Sequence, residues 1–202
     1  MTQIDTVIFD FGQVLVRWDP RQVWQGEYSP EEIDRLLEEL DFAAINRALD
    51  AGASWAELRP GVAARVGTRV TDMDTYLEHY PRSLLGPVAG SADLVRDVQR
   101  AGVRTVGLTN WSAETFHHAP SVAPVIDTLD DVLVSGRAGL SKPDPGIYAL
   151  AQERFGLEAA RTAFLDDSPA NITAAEQAGW HGHVFTTADS ARQWLNTLGI
   201  AV

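Results

Sequence analysis

From about residue 90 onward, short β-branched or aromatic runs alternate with helical stretches, and this alternation narrows the fold more than any other feature. Strands are predicted at 103–108 (VRTVGL), 131–134 (DVLV), 162–165 (TAFL) and 183–185 (HVF). Helices are predicted at 91–101, 112–119, 145–155, 169–178 and 190–198. Gly102, Gly156 and Gly179 stand where helix C-caps belong. Such alternation builds βαβ units and a parallel sheet. A further strand at 7–10 lies far upstream. The fold class read from this pattern is α/β, a doubly wound parallel sheet with an inserted helical segment.

The insert differs in texture. Residues 19–85 show helical patterning and no convincing strand. Ser29-Pro30-Glu31-Glu32 is a capping box with proline at the first helical position. Ile33, Leu36, Leu37 and Leu40 then mark one apolar face, and residues 71–74 offer a second helix start. The expected division is a sheet domain over 1–17 and 86–202 and a helical cap over 18–85. The acids Glu27, Glu31, Glu32, Asp34, Glu38, Glu39 and Asp41, broken by Arg35, read as a solvated helix face.

Composition excludes several function classes. The chain has 202 residues, 45% of them hydrophobic, enough for a substantial core. It has no cysteine, so disulfides and thiol chemistry are absent. A net charge of −12 argues against nucleic acid and anionic membranes as partners. No apolar run is long enough to span a bilayer, and the first residues carry no signal-like pattern. The expected location is cytoplasmic. An anionic substrate would need local positive charge, from a metal or a placed lysine.

Ligands of an open parallel sheet bind beyond the carboxyl ends of its strands. Asp10 ends the first strand, and Thr109-Asn110 follow the strand at 103–108. Ser141-Lys142-Pro143 come after 131–134, and Asp166-Asp167 end the strand at 162–165. Each has a bland reading: a turn acid, ordinary turn chemistry, a solvated loop lysine. Two adjacent acids at a strand end repel each other unless a cation is present. Their convergence on one crevice is far more specific than any single residue. Trp111 reads as a pocket wall or a packing residue, and Trp18, Trp24 and Trp55 as core. His117 and His118 diverge if helical. His181 and His183 share a strand face without an acid spaced for a metal. Neither a P-loop nor a dinucleotide glycine fingerprint is present.

In this order, the motifs resemble those of the haloacid dehalogenase-like (HAD) hydrolases with a helical cap after the first strand. "VIFDFGQVLV" is similar to the first family motif, "LTN" to the second, "SKPDPGIY" to the third and "FLDDSPAN" to the fourth. The DFGxV start, the WDP after it and "TNWSAETF" look most like a phosphatase-like branch. The resemblance implies sheet order 5-4-1-2-3 and a nucleophilic Asp10 that forms an aspartyl-phosphate. It implies Mg²⁺ held by Asp10, the Gly12 carbonyl and Asp167 directly, and by Asp166 through water. Thr109 Oγ1 and the Asn110 amide would hold phosphoryl oxygens, helped by a following helix N-terminus. Lys142 would balance the charge, and Asn171 would orient Lys142.

One position departs from the family pattern. Most family phosphatases carry a second aspartate two residues after the nucleophile, which protonates the leaving alcohol. Here that position is Gly12. Either Gly12 supplies a sharp turn in a slow or inactive enzyme, or the leaving group needs little help. Asp19 is a candidate substitute acid, but Asp19-Pro20 also fits a helix N-cap. The expected function is Mg²⁺-dependent hydrolysis of a small phosphorylated metabolite, such as a sugar phosphate with a good leaving group. Two alternatives stand beside it: a metal-independent 2-haloacid dehalogenase, and a non-catalytic phosphate- or partner-binding module.

Overall fold

A computed structural model describes residues 3–202. Strand β1 (Thr6–Phe9) is followed by β2 (Val16–Trp18) and a 3-10 turn, Pro20–Trp24. Four helices come next: α1 (Pro30–Leu40), α2 (Phe42–Asp50), α3 (Trp55–Val66) and α4 (Val70–Glu78). Strand β3 (Leu84–Pro87) returns the chain to α5 (Ser91–Arg100) and β4 (Arg104–Thr109). Then follow α6 (Ala119–Val122), β5 (Asp131–Val134), α7 (Ser135–Ala138) and α8 (Pro145–Phe155). The chain closes with β6 (Thr162–Asp166), α9 (Pro169–Gln177), β7 (His181–Val184) and α10 (Ala188–Thr197).

Five strands form one sheet in the order β5-β4-β1-β6-β7, every pairing parallel. Numbered along the chain, these strands give the 5-4-1-2-3 order read from the other edge. β1 is central, pairing Thr6 with Arg104 on one side and Thr162 on the other. The order reverses there, so the crevice opens past Phe9.

Period-2 alternation sorts the strand residues between two layers. Val7 and Phe9 point into one cluster with Leu94, Val95 and Val98 of α5 and Leu195 of α10. Ile8, Val106 and Phe164 point the other way, against Ile147, Tyr148 and Ala151 of α8 and Ile172 and Ala175 of α9. The first cluster runs without a break into the helical insert, through Ile33, Leu36, Leu40, Met73 and Tyr76. Gly107 lies where a Cβ would come within 2.6 Å of the Phe11 ring, so only glycine lets that ring lie against β4.

The expected capping box forms: Ser29 Oγ accepts the Glu32 amide and Glu32 accepts the Ser29 amide. A second one, at Ser54 and Glu57, starts α3. The acids of α1 are exposed, as a solvated face requires. No helix among the described residues is long and apolar enough to cross a membrane.

Three expectations are corrected. Leu84 and Leu85, placed in a strandless insert, belong to β3, which pairs antiparallel with β2 at the two stems of the insert. β2 has three residues, too few to show a period. Residues 112–119 are not a helix: they form turns, a 3-10 turn at Phe116–His118, and α6 only from Ala119. Side chains compete for the backbone there. Ser135 Oγ accepts the Trp111 amide, Trp111 Nε1 donates to Thr115 Oγ1, and Ser112 Oγ accepts the Glu114 amide. The adjacent His117 and His118 rings consequently lie 3.8 Å apart instead of diverging. The last strand begins at His181, two residues earlier than the apolar run suggests.

Candidate active site

Asp10 stands one residue past β1 with 7% of its surface exposed, and its amide donates to Leu165 O at 2.9 Å. Lys142 reaches it from the loop before α8. The buried ammonium lies 2.8 Å from Asp10 Oδ1 and 2.6 Å from Asp166 Oδ2, and donates to Leu108 O at 2.9 Å. All three ammonium protons are thereby used. Burial works to discharge Lys142, but the charges of Asp10 and Asp166 outweigh it and raise its pKa.

Two amides hold this triad in place. Asn110 Nδ2 donates to Lys142 O and Asn110 Oδ1 accepts the Lys142 amide, both at 2.8 Å, so Asn110 clamps the lysine loop. Asn171 Nδ2 donates to both oxygens of Asp166 at 3.0 Å, and the Ser168 amide donates to Asp166 Oδ1. Asn171 does not touch Lys142 itself: its side-chain amide is taken by the carboxylate that pairs with the lysine.

Asp10, Asp166 and Asp167 each offer a carboxylate oxygen within 4.8 Å of the others. One ammonium faces three acids. Burial pushes Asp10 up to about 7, with the Lys142 charge opposing and the Asp166 charge adding to the rise. Burial also raises Asp167, again with Asp166 adding to it. Asp166 spends its oxygens on Lys142, Ser168 and Asn171, whereas Asp167 is exposed to the cavity. A surplus of hard oxygen donors with too little positive charge fits Mg²⁺. Thr109 Oγ1, at the end of β4, is buried without a hydrogen-bond partner among the described residues. Buried polar atoms are nearly always satisfied, so this orphan hydroxyl at a strand end is an exception within the fold.

Of these groups, Asp10, Asn110, Asp167 and Asn171 border a cavity of about 330 Å³. Asp10, Gly12, Asn110 and Asp167 line the sheet side. The insert contributes Asn46, Leu49 and Asp50 of α2, Tyr76 and Leu77 of α4, and Tyr80. Trp18 and Trp111 complete the walls, and Tyr80 meets Trp111 edge-on at 6.3 Å. Trp111 is both wall and packing residue, being 5% exposed. Trp18, read as core, also faces the cavity, while Trp24 is fully buried and Trp55 donates to Asp74. Asp19 caps the 3-10 turn, accepting from the Arg21 amide and Gln22, and does not line this cavity.

Gly12 is not needed for a turn. Its φ is outside the left-handed region and a Cβ there meets nothing within 4 Å. The residue with positive φ is Gln13, at 56°. Sequence reasoning missed the contribution of α2. The one signal there is Asp50 itself, an acid at a helix C-terminus where the macrodipole disfavours negative charge.

A parallel sheet with an insert after its first strand, and a carboxylate–lysine–carboxylate array at its reversal point, define a class of hydrolases. The sequence profile of the haloacid dehalogenase-like hydrolases matches residues 4–179, and the chain belongs to that family of enzymes. It is 24% identical to a sesquiterpene phosphatase of Aspergillus oryzae, astK, over 90% of this chain and 89% of that protein. It is 27% identical to the (S)-2-haloacid dehalogenase of Pseudomonas sp. strain YL, over 63% of this chain and 55% of that one. The HAD family enzyme bt-2542 from Bacteroides thetaiotaomicron, solved in complex with magnesium and inorganic phosphate, superimposes with a TM-score of 0.69 at 22% identity, covering 91% of this chain and 95% of that one.

Proposed function

We propose that the chain is a Mg²⁺-dependent phosphomonoester hydrolase that works through an aspartyl-phosphate on Asp10. The observation that carries this reading is the Asp10–Lys142–Asp166 array with the carboxylate of Asp167, unpaired among the described residues, clustered beside it. Asp10, Asp167 and the carbonyl of Gly12 would hold the metal directly and Asp166 through water, and the metal would supply positive charge for the phosphoryl oxygens. Lys142 fixes Asp10 by its Oδ1 and keeps a positive charge beside the reacting group. Asp10 attacks phosphorus, the ester P–O bond breaks, and water later cleaves the acyl phosphate. The Thr109 hydroxyl and the Asn110 amide receive phosphoryl oxygens. The aromatic and leucine walls suit a ring or an apolar chain on the leaving alcohol, and they exclude water.

A dehalogenase needs no proton donor at position 12, so the glycine there favours it as a second reading. Against it stands the charge: without a cation, Asp166 and Asp167 repel a haloacid carboxylate. The test is hydrolysis of a phosphate ester panel and of 2-haloacids, with Mg²⁺ and with EDTA. Turnover of esters only with Mg²⁺, abolished in a folded Asp10→Asn variant, is the expected result. Full activity on a 2-haloacid in EDTA, with none on phosphate esters, would establish the dehalogenase. No turnover of either class would leave a binding module.

A further inference from the structure

We infer that Asp50 is the acid–base group of this active site, delivered by α2 in place of the carboxyl that position 12 lacks. The inference rests on the phosphatase reading. Asp50 is the last residue of α2 and borders the same cavity as Asp10, Gly12 and Asp167. Asn46, one turn earlier on α2, donates to Asp50 Oδ2 at 2.9 Å and fixes its rotamer. Ser112, from the loop that follows β4, borders the same cavity, and its backbone works to lower the Asp50 pKa. So a cap carboxyl shares one cavity with the loop that carries Asn110 and Trp111. Among the described residues, the other titratable groups lining the cavity are Asp10, Asp167, Tyr76 and Tyr80. Asp10 and Asp167 belong to the nucleophile and metal cluster, and Tyr76 and Tyr80 hold their phenol protons more tightly through burial.

The surroundings keep a large share of Asp50 protonated at neutral pH. Burial pushes the carboxyl up to about 7, against the Ser112 backbone and the Lys142 charge. Tyr76 and Tyr80, facing it from α4 and the turn after it, are neutral. The charged residues of α1 are all exposed, as is Arg47 of α2. Arg137 of α7 is exposed and lies over the Phe116 ring. A general acid works best with a pKa near the operating pH.

The steps balance. Asp10 Oδ forms a bond to phosphorus as the ester P–O bond breaks. The alkoxide takes the Asp50 proton and leaves as alcohol. The Asp50 carboxylate then accepts a proton from water as that water attacks the acyl phosphate. Cleavage of the bond to Asp10 releases inorganic phosphate and restores both groups.

Single-turnover release of alcohol from an alkyl phosphate and of phenol from 4-nitrophenyl phosphate tests this in the Mg²⁺-loaded protein. Asp50→Asn should slow alkyl release about 10²–10⁴-fold, while aryl release, which needs no proton, falls far less. Gly12→Asp in that background should restore much of the alkyl rate, since the site has room for the side chain. If Asp50→Asn does not fold, the wild type still answers. Its rate should depend weakly on leaving-group pKa below pH 7 and steeply above it. Equal losses on both esters, or a dependence that does not change with pH, would overturn the role of Asp50 alone. A wild type that hydrolyses neither ester would overturn the phosphatase reading and this inference together.

Discussion

Thr109 presents the plainest case at the scale of one residue. Its hydroxyl is buried and bonds to nothing among the described residues, so the fold gains little from it. Thr109→Val keeps the shape and removes an unsatisfied polar atom. The melting temperature should hold or rise, while kcat/KM on a phosphate ester falls about tenfold or more, the worth of one hydrogen bond to a charged group. An unchanged kcat/KM would show that the hydroxyl does not meet substrate. Most of the site was legible at this scale. Asp10, Thr109, Asn110 and Asp166-Asp167 sit at or just past strand ends, and Lys142 on the loop before α8, so the topology alone directs attention to them. Asn110 and Asn171 were legible as site residues but not in what they touch. Side-chain rotamers decide that Asn110 clamps the lysine loop and Asn171 holds Asp166. Asp50 was not legible, because an acid at a helix end belongs to no strand-end pattern.

Elements set how these residues approach one another, and Gly136 of α7 shows how tightly. A Cβ there would lie 2.5 Å from the Ala113 amide nitrogen and 2.6 Å from Trp111 O. Gly136 N also donates to Trp111 O at 3.1 Å. The loop carrying Trp111 and Ser112 is therefore pressed against backbone, not against a flexible side chain. Gly136→Ala should cost about 1–3 kcal/mol of stability by overpacking and also lower kcat, because the loop it displaces lines the cavity. A variant with wild-type melting and kinetics would mean that the loop relaxes freely. The regular elements were legible because four successive crossovers join the five parallel strands in one repeating pattern. The segment 112–119 was not, since its form depends on Ser135 and Thr115, one of them distant in sequence. The β2–β3 ribbon was hidden for the same reason: short strands pair only through a partner on the far side of the insert.

Across the whole molecule, the insert is not a separate globule. Its apolar residues continue the cluster that backs the sheet, so the strain of gathering acids at the cavity is carried by one connected core. That makes global stability a readout of site charge. Asp10 and Asp50 both ordinarily titrate at 3.8 and are both raised to about 7 in the folded chain, chiefly by burial. A carboxyl with a raised folded pKa binds more protons in the folded than in the unfolded state. Its contribution is complete below 3.8 and is lost as pH rises through about 7. The metal-free protein should therefore lose melting temperature between weakly acid and neutral pH. On the proposed reading Mg²⁺ would bind only the folded cluster and supply the charge that the acids lack, so it should raise the melting temperature most above pH 7 and least near the acid end. Melting curves in EDTA and in Mg²⁺ across that range decide it. A metal-free melting temperature that stays level, with a Mg²⁺ increment independent of pH, would mean that Lys142 alone neutralises the acids. Asp10→Asn supplies the control, since it should flatten part of the metal-free slope and shrink the Mg²⁺ increment in the same measurement.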